Sequence, residues 1–280
     1  MHWPGATCRQ RTYRHLATVD MDNVLRFAGR PLSRAVGATL KDLLRGAFGA
    51  TIDRWLVRAA MREDPYLQAV RVVADQQPLL DRALFFYLVK GNGVHDHAAS
   101  VDHEGYRKSL VSASSCGSLG LHPSYGTSVA TGAIAEERDR LAGIAGFPVR
   151  ATRQHFLRWR LPQTLRELEA LGFTEDHTLG FSDRVGFRAS TCTPFLWYDL
   201  QQERESTLML HPFAAMDSAL IEQMHLAPAA VVDRMCVLGD LVRAVSGEFV
   251  TVWHDRYLSG YGEFAPWPSV FEQVVQHAKA

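Results

Sequence analysis

The stretch His15-Leu16-Ala17-Thr18-Val19-Asp20-Met21-Asp22-Asn23 decides the architecture. A run of apolar and β-branched residues ends in two carboxylates, the pattern of a fully buried strand whose carboxyl end carries the polar groups. Outward from it, short apolar runs alternate with helical periodicity, which implies an α/β chain with a mainly parallel sheet. Further strands are expected at Ala83 to Leu88, Ser118 to His122, Pro148 to Thr152, Thr178 to Phe181, Thr207 to Leu210 and Phe249 to His254. Helices are expected near Tyr66 to Ala74, Ala133 to Ala145, Gln163 to Leu171, Pro228 to Ser246 and Val270 to Ala278. Pro162 opens the third of these and Gly172 closes it, as helix ends prefer. Residues 26–64, rich in Arg and Gly, read as an insertion in a single domain spanning 1–280.

Lys plus Arg equals Asp plus Glu, 30 each in 280 residues. That balance offers no overall basic field for nucleic acid or an anionic membrane. Cys8, Cys116, Cys192 and Cys236 are scattered, which argues against a zinc ribbon or a disulfide framework. No run approaches the roughly 20 apolar residues of a membrane span. The start, Met1 to Gly5, has no charged segment followed by an apolar one, so cytoplasmic placement is the expectation.

The polar residues close successive strands: Asp20 and Asp22 the first, His122 another, His254 the last. Parallel α/β sheets build their sites at such carboxyl ends. Carboxylate with imidazole is a ligand set suited to zinc and similar divalent ions. A spare carboxylate beside the metal suits a general base, and a spare imidazole a general acid. For each residue alone, a helix cap, a turn or a structural histidine is a fair rival; the case rests on three strand ends together.

Thr18-Val19-Asp20-Met21-Asp22-Asn23, Gly120-Leu121-His122-Pro123-Ser124-Tyr125, Thr152-Arg153-Gln154-His155-Phe156-Leu157, Gly186 to Phe195 and Val252-Trp253-His254-Asp255 occur in that order. Together, from about Leu16 to Ala278, they resemble the polysaccharide deacetylase (NodB-homology, carbohydrate esterase family 4) superfamily in a divergent bacterial branch. The resemblance implies a distorted (β/α) barrel of about seven parallel strands. It also implies a carbohydrate substrate, an acetylated glycan or precursor, and removal of N- or O-acetyl groups with a divalent metal, commonly zinc. Carried over, Asp20 is the base and Asp22 a metal ligand, although Met21 between them leaves an exchange of roles open.

His122 fills the first histidine of the family's metal motif, but Gly126 stands where the second is expected. His155 is the preferred substitute, with His95, His97 and His103 in a polar loop from Gly91 to Gly105 as second choices. Arg153 would orient the base, with Arg188 as competitor and a possible substrate contact. His254 would be the acid, with Asp183 as its partner. The backbone N–H of Tyr125 is expected to face the substrate oxyanion, and Trp197, with Tyr198 or Trp267, to form a sugar-stacking wall. Two other readings remain: a hydrolase of the same fold acting on a non-carbohydrate amide, and a catalytically impaired glycan-binding or scaffold protein.

Overall fold

In β1 (Arg14–Met21) side chains alternate between two apolar surroundings. Ala17, Val19 and Met21 join the large core beneath the helices, whereas Leu16 packs with Leu84, Phe86, Ala151, Phe213, Val250 and Val252 in a smaller inner core. A strand buried on both faces needs no polar alternation, and that is why β1 reads as a continuous apolar run. Thr18 and Asp20 share the inner face with Leu16 by the two-residue period of a strand.

The computed structural model describes residues 11–91, 93–130 and 132–280. The chain start, Met1 to Gly5, and Cys8 lie outside the described residues; Cys116, Cys192 and Cys236 are free thiols. After β1 come helices α1 (Leu32–Leu44), α2 (Phe48–Arg58) and α3 (Gln68–Gln76), then β2 (Arg82–Tyr87), α4 (Glu104–Cys116) and β3 (Ser118–Leu121). Helix α5 (Ala133–Ala145), β4 (Ala151–Thr152), α6 (Gln163–Ala170) and β5 (Glu175–Asp176) follow. The remainder is β6 (Phe195–Asp199), β7 (Arg204–Leu210), β8 (Ala215–Met216), α7 (Pro228–Ala244), β9 (Glu248–His254), α8 (Asp255–Leu258) and α9 (Trp267–Lys279).

The nine strands form one sheet in the order β6-β7-β5-β4-β3-β2-β1-β9-β8. Eight run parallel, and β6 pairs antiparallel with β7. The order is open, with β6 and β8 at its edges among the described residues. The sheet nevertheless curls. Strand β4 lies three places from β1, about 14 Å in a flat sheet, yet the Arg153 guanidinium just after β4 bonds the Asp20 carboxylate at 2.7 Å.

Some expected elements differ. The strand expected at Thr178 to Phe181 is instead β5, earlier and shorter. Asp176 turns its carboxylate onto the Thr178 N–H (3.0 Å) and hydroxyl (2.8 Å), a local turn that ends the strand. The polar loop from Gly91 gives way at Glu104 to α4, which His103 caps by accepting from the Gly105 N–H (3.0 Å). Residues 26–64 hold the α1–α2 hairpin. No helix among the described residues is long and apolar enough to cross a membrane.

Gly120 on β3 faces the Phe86 ring, and a Cβ there would overlap it. Phe86 in turn underlies Arg153, whose guanidinium carbon is 4.6 Å from the ring centroid. Gly120→Ala is expected to cost about 1–3 kcal/mol through overpacking, read by urea denaturation. Wild-type stability would show that Phe86 has room to move.

Candidate active site

Strand register assembles the site. In the parallel ladders Asp20 stands beside His254 on one side and Phe86 on the other. The His122 N–H continues the ladder onto the Tyr87 carbonyl (3.0 Å), and the Arg153 N–H onto that of Leu121 (3.0 Å). The carboxyl ends of β1, β3, β4 and β9 therefore bring Asp20, Asp22, His122, Arg153, His155 and His254 together.

Asp22, His122 and His155 offer ligand atoms all within 4.8 Å of one another. His122 Nδ1 lies 2.6 Å from the Arg153 carbonyl oxygen. A carbonyl only accepts, so that nitrogen carries the proton and Nε2 keeps its lone pair. His155 Nδ1 lies 2.8 Å from Asp96 Oδ1, which by the same argument leaves its Nε2 bare. Both Nε2 atoms face Asp22 Oδ1, at 3.3 and 3.7 Å, and that buried oxygen has no hydrogen-bond partner. Three acceptors facing one another repel unless a cation, or a proton added to one imidazole, lies among them. Tetrahedral ligands bound at ~2.1 Å stand ~3.4 Å apart, close to these separations, so the donor set fits a small divalent ion. Gly126, where the family's second histidine is expected, is exposed; beside Asp22 and His122 the structure places His155, three residues past β4.

Burial works against charge on Asp22, but the surrounding imidazoles of His122, His254 and His155 reverse this and hold the carboxyl well below its usual range. His122, also buried, is raised above an ordinary imidazole by Asp20 and Asp22.

Asp20 is held differently. Arg153 is fully buried, 0% exposed. It donates to Asp20 (2.7 Å), the Thr18 hydroxyl (2.7 Å) and the His177 carbonyl (3.0 Å), and lies over Phe86 and Phe213. Arg153 occupies Asp20 Oδ1 and leaves Oδ2 facing the cluster, 3.9 Å from His122 Nε2.

Four expectations are corrected. Asp183 is not the partner of His254: it is exposed and pairs with the adjacent Arg184 (2.7 Å). The partner is Asp217, just after β8, which accepts from both the His254 N–H and Nδ1 at 2.6 Å each. Arg188 is exposed and reaches only the Gly180 carbonyl (3.5 Å), because Arg153 already fills the buried position. Trp197 sits on β6 at the sheet edge, half-buried against the large core, and Trp267 is buried there too. The Tyr125 N–H is committed to Asp96 (2.9 Å), so it is not free for an oxyanion. The Tyr125 ring instead packs at a tilt against His95 (4.1 Å) and meets Phe156 (5.5 Å), which lies 4.4 Å from His155.

Asp96, Asp217 and Asp255 were not singled out in the sequence. Asp96 links the loop before α4 to both His155 and Tyr125. Asp255 accepts from the Asn23 N–H (2.8 Å), fixing the turn that carries Asp22; burial and then the Asp22 charge push its pKa up to about 7. A second donor group is Glu175, His177 and His211. Its members are already paired, Glu175 with Arg82 (2.8 Å) and His211 with Glu248 (3.0 Å). Burial and the neighbouring His211 lower His177 to about 3.

No family model and no curated protein matches the chain. Among solved structures it is similar to a candidate polysaccharide deacetylase from Mycobacterium smegmatis, at 16% identity and a TM-score of 0.58, over 98% of this chain and 86% of that one. It also aligns with a family 4 carbohydrate esterase from Streptomyces lividans in complex with acetate, at 12% identity and a TM-score of 0.43, over 95% and 87%. At such identities the first likeness shows the fold alone, and it is the fold that the ordered motifs imply; the second is too distant to add to it.

Burial disfavours charge on His254, yet Asp217 outweighs it and, with Asp22, raises the imidazole to about 9. In metal-free protein, Asp217→Asn removes the largest raising influence. The pKa should then fall toward or below the ordinary imidazole value of about 6.5, as followed by NMR titration of the ring. An unchanged titration would transfer the effect to Asp22.

Proposed function

We propose that this chain is a metal-dependent hydrolase that removes N- or O-acetyl groups from a carbohydrate. The observation that carries the reading is the convergence of Asp22 and two bare imidazole nitrogens between Asp20–Arg153 and His254–Asp217. A divalent metal, with zinc preferred for its ligand set, would be held by Asp22, His122 and His155, and would supply Lewis-acid polarisation and a more acidic water. Asp20, oriented by Arg153, takes the proton from the attacking water. His254, kept cationic through neutrality by Asp217, donates from Nε2 to the departing nitrogen or oxygen. Asp96 is a positioning residue that keeps the His155 tautomer correct. The ring cluster of His95, Tyr125 and Phe156 supplies the apolar face on which a sugar ring would rest.

The alternative of an impaired glycan-binding scaffold rested on Gly126, and the position of His155 supports the catalytic reading over it. The arrangement of Asp20 on Arg153 and Asp22 among the imidazoles likewise supports unexchanged roles for the two carboxylates.

Acetate release from acetylated sugar oligomers tests the reading. Asp20→Asn is expected to lower kcat about 10²–10⁴-fold, with His254→Ala in the same range; activity surviving either change refutes the assigned role. A non-carbohydrate amide as the only substrate would move the protein to another class. Elemental analysis is expected to find zinc taken up by the purified protein, and Asp96→Ala to weaken that uptake about 10–100-fold. A protein that takes up no divalent ion would sink the metal-dependent mechanism.

A further inference from the structure

The α1–α2 hairpin is amphipathic the wrong way round for a soluble surface. Leu32, Val36, Leu40 and Leu44 recur every four residues on α1 and all face out, with Leu40 59% and Leu44 90% exposed. Phe48, Ile52 and Trp55 continue this on α2, with Phe48 62% exposed. The inward side holds only Ala35 and Val57 as buried apolar residues, beside a polar pair in which buried Arg54 meets Asp42 and donates to the Thr39 hydroxyl (3.2 Å). Ordinary surface helices turn their large apolar residues inward instead. Contiguous apolar surface of this kind marks a docking site.

The charge of the segment says what docks. Residues 26–64 hold eight Arg or Lys against four Asp or Glu, a net of +4 in a chain whose formal charge is zero. The acids are turned inward or already used: Asp42 on Arg54, Asp53 on Arg62, and Asp64 on the N–H groups of Arg26, Phe27 and Ala28. Arg34, Lys41 and Arg45, exposed beside the apolar stripe, make no ion pair among the described residues. A second copy of the same face would bring like charge against them, whereas anionic headgroups would neutralise them while acyl chains accept the leucines.

We infer that the α1–α2 hairpin docks this protein on an anionic lipid surface. The hairpin is tied to the site: the Arg30 guanidinium donates to the Asn23 side chain (2.8 Å), the Arg58 guanidinium to the Arg30 carbonyl (3.0 Å), and Tyr261 to Asp53 (2.6 Å). Docking would thus hold the loop that carries Asp22 close to the lipid plane. The corollary, that the substrate is a membrane-borne glycan, rests on the proposed deacetylase function; the docking does not.

Vesicle co-sedimentation of the full chain tests it. Binding to vesicles of equal parts phosphatidylcholine and phosphatidylglycerol should exceed binding to phosphatidylcholine alone by about a hundredfold, from three cations near the surface, and fall with added salt. Leu40→Glu with Ile52→Glu should reduce it at least about tenfold, with the circular dichroism and melting curve of wild type. If that variant does not fold, Arg34→Glu, Lys41→Glu and Arg45→Glu together should bring binding down to the phosphatidylcholine level. Absence of wild-type binding, or binding unchanged in the variants, overturns the inference. So does a dimer in light scattering that the Leu40/Ile52 change splits while vesicles stay unbound. Vesicle binding without acetate release would refute the enzymatic reading and leave the dock standing; acetate release without binding would do the reverse.

Discussion

The Arg153–Asp20 pair is the constraint on which the rest depends. A guanidinium with no solvent exposure is tolerable only if its donors are satisfied and its charge is met. Arg153 achieves this by bonding three groups from two places: Asp20 and Thr18 on β1, and the His177 carbonyl just past β5. Those partners come within reach only if the sheet curls, and the inner core of Leu16, Leu84, Phe86 and Val250 beneath supplies the apolar filling that makes curling favourable. The pair therefore couples architecture to chemistry. Lys would lose the fork geometry that spans a carboxylate and a hydroxyl at once.

Above that pair the site sorts acceptors from donors by what holds the far side of each imidazole. His122 and His155 donate from Nδ1 to a carbonyl and to Asp96, so both present lone pairs. Asp217 accepts from the His254 backbone N–H and from Nδ1, and its charge together with that of Asp22 favours a proton on both ring nitrogens. In the proposed mechanism the three histidines would serve as two ligands and one acid.

How legible this was depended on strand length. Asp20, His122 and His254 end runs of four to eight strand residues, long enough for a hydrophobic pattern to point at the residue that follows. Arg153 and His155 follow a two-residue strand and were found through the ordered motifs. Asp217 follows another two-residue strand, within Ala214-Ala215-Met216-Asp217, where no periodicity can develop; Asp183 drew the role because it lies in a more obvious polar turn. Helix α4 was hidden for a related reason, since Ser112-Ala113-Ser114-Ser115 gives no apolar stripe. The leucine spacing of α1 was present in the sequence, but a stripe looks the same whether it faces the core or the solvent. The burial of Ala35, Arg54 and Val57 on the opposite side shows which way it points.

The relocated histidine carries the last step. Had both imidazoles come from the turn after β3, at His122 and at position 126, the ligand set would be local to one loop and to β1. With His155 as the proposed ligand, it would span the ends of β1, β3 and β4, the same three strands that Arg153 ties together through its Asp20 bond and through the carbonyl that receives His122 Nδ1. Arg153 thus sits behind both halves of the site: its side chain orients Asp20, and its backbone fixes the tautomer of His122. Asp96 extends the same logic outward, since one carboxylate oxygen holds His155 and the Tyr125 N–H. The ligands and the aromatic wall beside them are therefore positioned by one connected set of bonds. A change in the curvature of the sheet would move them together, leaving no single ligand able to compensate for the others.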